Sequence, residues 1–77
     1  MPDALDDARR AQLRHSADLW EADARRELAR VETALDSGDY AGAILATREL
    51  ASNLSRARYC RHRAEARPVA LRVRRFA

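Results

Sequence analysis

Apolar side chains recur every three or four residues along the first half of the chain, from Leu13 to Leu35. This spacing is typical of one face of an α-helix. Pro2 and Asp3 suit the start of such a helix, because proline fits the first turn and an acid complements the positive end of the helix dipole. We therefore predict a helix over about residues 3–36. Its regularly spaced apolar residues are Leu13, Ala17, Trp20, Ala24, Leu28, Val31 and Leu35.

A short polar segment around Gly38 interrupts this pattern. Gly38 is placed to adopt the left-handed conformation after a helix, and Asp39 is placed to cap the next one. A connection this short returns the second helix antiparallel to the first. We predict a turn over 37–39 and a second helix over about 40–66, because Pro68 disfavours helical geometry in the residue before it. The apolar residues of this helix are Tyr40, Ala43, Ile44, Thr47, Leu50, Ala51, Leu54 and Ala57.

The pattern as a whole predicts an all-α fold, an antiparallel two-helix hairpin over residues 1–67 followed by a basic extended tail over 68–77. In the tail, Val69, Leu71 and Val73 alternate with other residues, which is the period of a β-strand. A single strand is not stable by itself, so three arrangements stay open. These arrangements are a disordered tail, a tail that packs along the hairpin, and a tail that adds as a strand to another sheet or subunit.

The residues around the turn resemble a helix junction of the tetratricopeptide family. From Leu35 to Ile44 the chain reads L-D-S-G-D-Y-A-G-A-I, similar to the family pattern L-x-x-G-D-Y-x-x-A-I. The resemblance implies a turn at Gly38, an aromatic side chain between the helices at Tyr40 and close helix approach at Ala43. It covers about ten residues, and the first helix is longer than in a standard repeat. The chain holds no second copy of the motif, whereas stacked repeats need at least three.

The 77 residues form at most one small domain, and much of its apolar content is alanine. Two helices with few large side chains do not easily offset the entropy of ordering them, about 1.5 kcal/mol per residue. We therefore expect the core to be completed by another protein or by a second copy of the chain, the latter as a four-helix bundle. The residues expected in this partner interface are Trp20, Leu28, Val31, Leu35, Tyr40, Ile44, Leu50 and Leu54.

Trp20, the one tryptophan, lies in the middle of the first apolar stripe. Two interpretations stay open for it. It fills the core of the hairpin opposite Leu54 and Ala57, or it extends beyond the hairpin as an interface anchor, a role that tryptophan often takes.

The net charge of +3 is distributed unevenly. Residues 1–39 contain ten acids and six arginines, whereas residues 40–77 contain two acids and nine arginines. This asymmetry favours an anionic partner for the second half, or pairing between the two halves. Folding the chain back at Gly38 brings Arg61 near Asp18, so part of the positive charge is expected to be neutralised internally.

The same folding places Arg56 level with Glu21. Arginine contacts phosphates as a charged fork, and Tyr59 and Phe76 lie among the arginines, where they could stack on bases. RNA or DNA is therefore an alternative partner, and a small phage- or plasmid-type inhibitor of a nucleic-acid machine would use both surfaces. The residues expected to bind an anionic partner are Arg56, Arg58, Arg61, Arg63, Arg67, Arg72, Arg74 and Arg75.

Other classes of function find little support in the sequence. No nucleophile with a positioned base, glycine-rich phosphate loop or pair of carboxylates is evident, so we expect neither an enzyme nor a cofactor or small-molecule substrate. Cys60 and His62 differ by about 200° around a helix, so we expect no metal site. The single cysteine and the polar, acidic N-terminus favour a cytoplasmic protein without membrane contact.

Overall fold

The computed structural model describes residues 6–66, which form two α-helices joined by a tight turn. Helix α1 spans Asp7–Asp36 and helix α2 spans Tyr40–Glu65. The two helices contact each other along their length and run antiparallel. The predicted all-α helical hairpin is therefore confirmed. The tail predicted over 68–77 lies outside the described residues.

Side-chain caps and a left-handed glycine fix the helix ends. The carboxylate of Asp6 accepts a hydrogen bond from the Arg9 backbone N–H at 2.8 Å, so α1 begins about four residues later than predicted. Gly38 has a φ of 75°, the left-handed conformation that the sequence predicts for it. The carboxylate of Asp39 accepts from the Gly42 N–H at 2.9 Å and caps α2, also as predicted. The turn therefore has glycine and aspartate where its geometry requires them.

Small side chains fill the contact between the helices, which we call the seam. In α1 the fully buried residues are Ala17 and Ala24, one heptad apart. In α2 the seam residues alternate in steps of three and four, the spacing of a left-handed coiled coil. Small residues at such a contact allow two helix backbones to approach closely. The seam residues of α2 are Ala43, Ala46, the half-buried Leu50, Asn53, Ala57, Cys60 and Ala64.

The apolar stripe predicted for α2 is therefore wrong as a description of what the hairpin buries. Only Ala43 and Ala57 of that stripe are buried, and Leu50 is half-buried. The helix turns its small residues towards α1, because a row of them reaches from Ala43 to Ala64 with Leu50 as its one large member. The stripe residues left exposed to solvent are Tyr40, Ile44, Thr47, Ala51 and Leu54.

Neither α1 nor α2 has a stretch that combines the length and hydrophobicity needed to cross a bilayer.

Candidate functional site

Large apolar side chains collect on one side of the seam. Leu28 follows the seam residue Ala24 by four positions, and Leu54 follows Leu50 by four. The four side chains line one shared groove, which shows that Leu28 and Leu54 lie on the same side of the hairpin. The groove encloses about 300 Å³, the lower end of the range for small-molecule pockets. Its size and shallow shape suit single side chains from another helix.

The same surface continues to the turn. Leu35 lies one heptad beyond Leu28, and Tyr40 lies two heptads before Leu54, so heptad geometry places both on this side. Ile44 follows Tyr40 by one helical turn and is 54% exposed. We call this surface the apolar face. It comprises Leu28, Leu35, Tyr40, Ile44, Leu50 and Leu54, with Leu50 half-buried beneath the others. Val31, one heptad after Ala24, is a half-buried residue of the seam.

The opposite side of the seam, which we call the polar side, has fewer exposed large apolar residues. Leu45, the residue after Ile44, is 62% exposed there and lines a separate groove that also contains Glu27, Arg30 and Glu49. Ile44 and Leu45 are thus adjacent in sequence and similarly exposed, but they belong to different surfaces. Five exposed large apolar residues thus lie on the apolar face, whereas Leu19, Leu45 and Tyr59 are exposed on the polar side.

Trp20 is half-buried on the polar side and does not join the apolar face. The guanidinium carbon of Arg56 lies 4.7 Å from the centroid of the Trp20 ring, which is a cation–π contact between the two helices. Trp20 lines a small cleft with Ser16 and Leu19, whereas the groove that contains Leu54 does not include it. Trp20 is therefore level with Arg56, the neighbour of Ala57, and lies beside the seam rather than in the groove with Leu54.

A cluster of ion pairs joins the helices beyond the apolar face. Arg61 of α2 donates hydrogen bonds to Asp18 at 2.7 Å and to Glu21, both on α1. The hydrogen bond with Glu21, and then that with Asp18, raises the pKa of the Arg61 guanidinium. The predicted proximity of Arg61 and Asp18 is thus present. Arg56, expected level with Glu21, contacts Trp20, the residue directly before Glu21.

The four described arginines of the predicted anion-binding set do not form a single patch. Helical spacing places Arg56 and Arg63 on one flank of α2 and Arg58 and Arg61 on the other. Arg56 and Arg61 have partners within the hairpin, whereas Arg58 and Arg63 have no ion-pair partner among residues 6–66. The remaining members of the set, Arg67, Arg72, Arg74 and Arg75, lie outside the described residues.

The cysteine and the two histidines differ in their exposure to solvent. Cys60 is buried in the seam as a free thiol, whereas His15 and His62 are exposed. In the part of the chain that the structure describes, no group of three or more acidic, histidine or cysteine side chains is arranged to hold a metal ion.

Comparisons with protein families, with curated proteins and with solved structures give no match for this chain.

Most residues of the apolar face were predictable from the sequence, but not the fact that they share one side of the hairpin. Arg25 and Glu32, two exposed charges on the α1 border of this face, were not predicted as part of it. The signal that could have revealed the arrangement is the strict alternation of three and four between small residues in α2, which fixes how that helix is rotated.

Proposed function

We propose that this protein is a non-catalytic helical hairpin that acts by binding another polypeptide through the apolar face. Adaptors, chaperones, inhibitors and assembly subunits all work in this way. The observation that supports the proposal is that small side chains are buried between the helices and large apolar side chains are exposed, the reverse of the usual distribution. Alanines fill the seam, while Leu28, Leu35 and Ile44 are each about half exposed.

The apolar face leaves apolar surface unburied that association would cover. Complete burial of a leucine or isoleucine side chain contributes about 2 kcal/mol, so each half-exposed residue retains about 1 kcal/mol. The exposed members of the face, Tyr40 included, together retain about 5 kcal/mol. Only part of this gain would appear as affinity, because association also costs translational, rotational and side-chain entropy. Contiguous apolar patches of this kind mark interaction sites in soluble proteins.

The proposal is tested with substitutions at two adjacent residues whose side chains lie on different sides of the hairpin. Ile44→Glu places a charge in the apolar face, whereas Leu45→Glu places the same charge on the polar side. The wild-type chain and both variants are immobilised separately. Each is exposed to nuclease-treated lysate of the source organism to which a tagged copy of the chain has been added. The proteins that each chain binds are then compared by mass spectrometry.

We expect the wild type and Leu45→Glu to retain the same partner and Ile44→Glu to lose it. Equal retention by all three chains would contradict binding through the apolar face. Far-UV circular dichroism of each chain checks that the helices are intact.

Nucleic-acid binding is a second candidate function, favoured by the polar side near the open end of the hairpin. Tyr59 is exposed there, and Arg63 follows it by one helical turn with no ion-pair partner among residues 6–66. An exposed aromatic ring beside an arginine suits base stacking together with phosphate contact. Titration of labelled single-stranded RNA should then show binding that weakens steeply with salt and is lost in Tyr59→Ala with Arg63→Glu. Absence of binding at low ionic strength would exclude this function.

A further inference from the structure

We infer that the occupant of the apolar face is a second copy of this chain, packed face to face with the two turns at opposite ends. This inference rests on the proposed function and names its partner. The two-fold axis lies in the interface and crosses the helices at right angles. It places α1 antiparallel to α1 of the second copy, and α2 antiparallel to α2 of the second copy, as in a four-helix bundle.

The apolar residues of α2 are arranged symmetrically about residue 49. Ile44 and Leu54 lie five positions on either side of it, and the smaller Thr47 and Ala51 lie two positions on either side. All four are exposed. A two-fold axis at this level brings Ile44 onto Leu54 of the second copy, and Leu54 onto its Ile44. The interface is then self-complementary in size, as a two-fold contact requires.

Arg25 and Glu32 of α1 are complementary in charge about the same axis, whereas Glu21, already paired with Arg61, lies level with Asp36 of the second copy. Leu50 and Leu28 share one groove, so residue 49 of α2 is level with about residue 29 of α1. Arg25 and Glu32 lie on either side of that level and are both exposed. They are one heptad apart, about 10.5 Å along the helix, which is too far for an ion pair within one chain.

Neither Arg25 nor Glu32 has an ion-pair partner among the described residues. In the antiparallel dimer each meets its opposite on the second copy, which gives two ion pairs related by symmetry. Tyr40, which is 69% exposed, would by the same symmetry meet Arg58 of the second copy, a further cation–π pairing of two exposed side chains.

The dimensions of the face approach those of a stable interface. The stretch from Tyr40 to Arg58 is about 27 Å long, and two adjacent helices are about 20 Å wide. The projected area is therefore about 540 Å², and side-chain relief makes the accessible area larger. Stable complexes bury about 800 Å² on each partner. A second copy covers the whole face, because both copies have the same length and shape.

The test exchanges the charges on α1 and follows association of the full chain by analytical ultracentrifugation. Arg25→Glu alone and Glu32→Arg alone each create two repulsive pairs across the axis, and we expect each to weaken the dimer about tenfold. An equal mixture of the two variants restores opposite charges at both contacts. The mixture should therefore form a heterodimer about as tight as the wild-type dimer.

Two further variants keep the test decisive. Ile44→Glu should give a monomer that is still helical by circular dichroism, and Leu45→Glu should remain a dimer. The inference would be overturned if the mixture dimerised no more tightly than each variant alone. It would also be overturned if Ile44→Glu left the affinity of the dimer unchanged. A wild-type monomer at millimolar concentration would overturn it as well.

In the case of a wild-type monomer, the proposed function is judged separately. It stands if Ile44→Glu, and not Leu45→Glu, abolishes the capture of a different protein, and it fails if the capture is the same for both variants.

Discussion

Enlarging an alanine in the seam should destabilise the hairpin more than removing an exposed leucine. Ala24 is 3% exposed and lies beneath the groove that Leu28, Leu50 and Leu54 line. Ala24→Leu adds three carbon atoms at a buried position of the seam. Overpacking of this kind costs about 1–3 kcal/mol. For a domain of this size each kcal/mol lowers the melting temperature by about 4–8 °C, so a loss of about 2 kcal/mol corresponds to about 8–16 °C.

The matched control is Leu45→Ala, which removes the same three carbon atoms from an exposed position on the polar side. We expect its free energy of unfolding to change by no more than about 0.5 kcal/mol. Alanine is also the better helix former, which offsets part of any lost packing. Thermal and urea unfolding of both variants is followed by far-UV circular dichroism at one protein concentration, because association shifts the melting temperature.

The opposite ranking would refute the reasoning. If leucines formed the core, Leu45→Ala would cost about 2–5 kcal/mol. An Ala24→Leu chain that melts at or above the wild-type temperature would show that the helices are not closely packed at this alanine.

Three further predictions concern the turn and the ion pairs, each read from the melting temperature of the variant. Gly38→Ala should lose about 1–2 kcal/mol, because an L-residue is strained at positive φ, and an unchanged melting temperature would argue against the left-handed turn. Asp39→Ala should lose about 1 kcal/mol with its N-cap, whereas Asp39→Asn should keep most of that stability; equal losses would exclude the cap. Arg61→Glu should lower the melting temperature more than Arg58→Glu, because only Arg61 contacts Asp18 and Glu21; equal effects would contradict the cross-helix cluster.

The local features of the fold were predictable because they depend on neighbouring residues alone. Gly38 and Asp39 determine where one helix ends and the next begins, and the structure places the turn at these residues. Reflection about the turn also brought Arg61 close to Asp18, because an antiparallel pair of straight helices has a single approximate register. These inferences needed no knowledge of how either helix is rotated.

The rotation of α2 was not predictable from hydrophobicity. This helix contains two interleaved patterns, a stripe with large residues such as Ile44 and Leu54, and a row of small residues that includes Ala46 and Cys60. Burial of apolar area favours the first, whereas close approach of two backbones favours the second. Which pattern the hairpin buries depends on the facing residues of α1, among them Ala17 and Ala24. It is therefore decided by packing between distant parts of the chain.

The accessibility of the Ile44 methyl group tests the account most directly. Ile44 is the only isoleucine, so its methyl resonance is unambiguous in a methyl-labelled sample. A soluble paramagnetic agent should leave this resonance sharp at high protein concentration, where a second copy covers it, and broaden it after dilution. The Leu45 methyls should be broadened at both concentrations. An Ile44 methyl that stays protected at every dilution would place it inside the single hairpin and contradict the alanine seam.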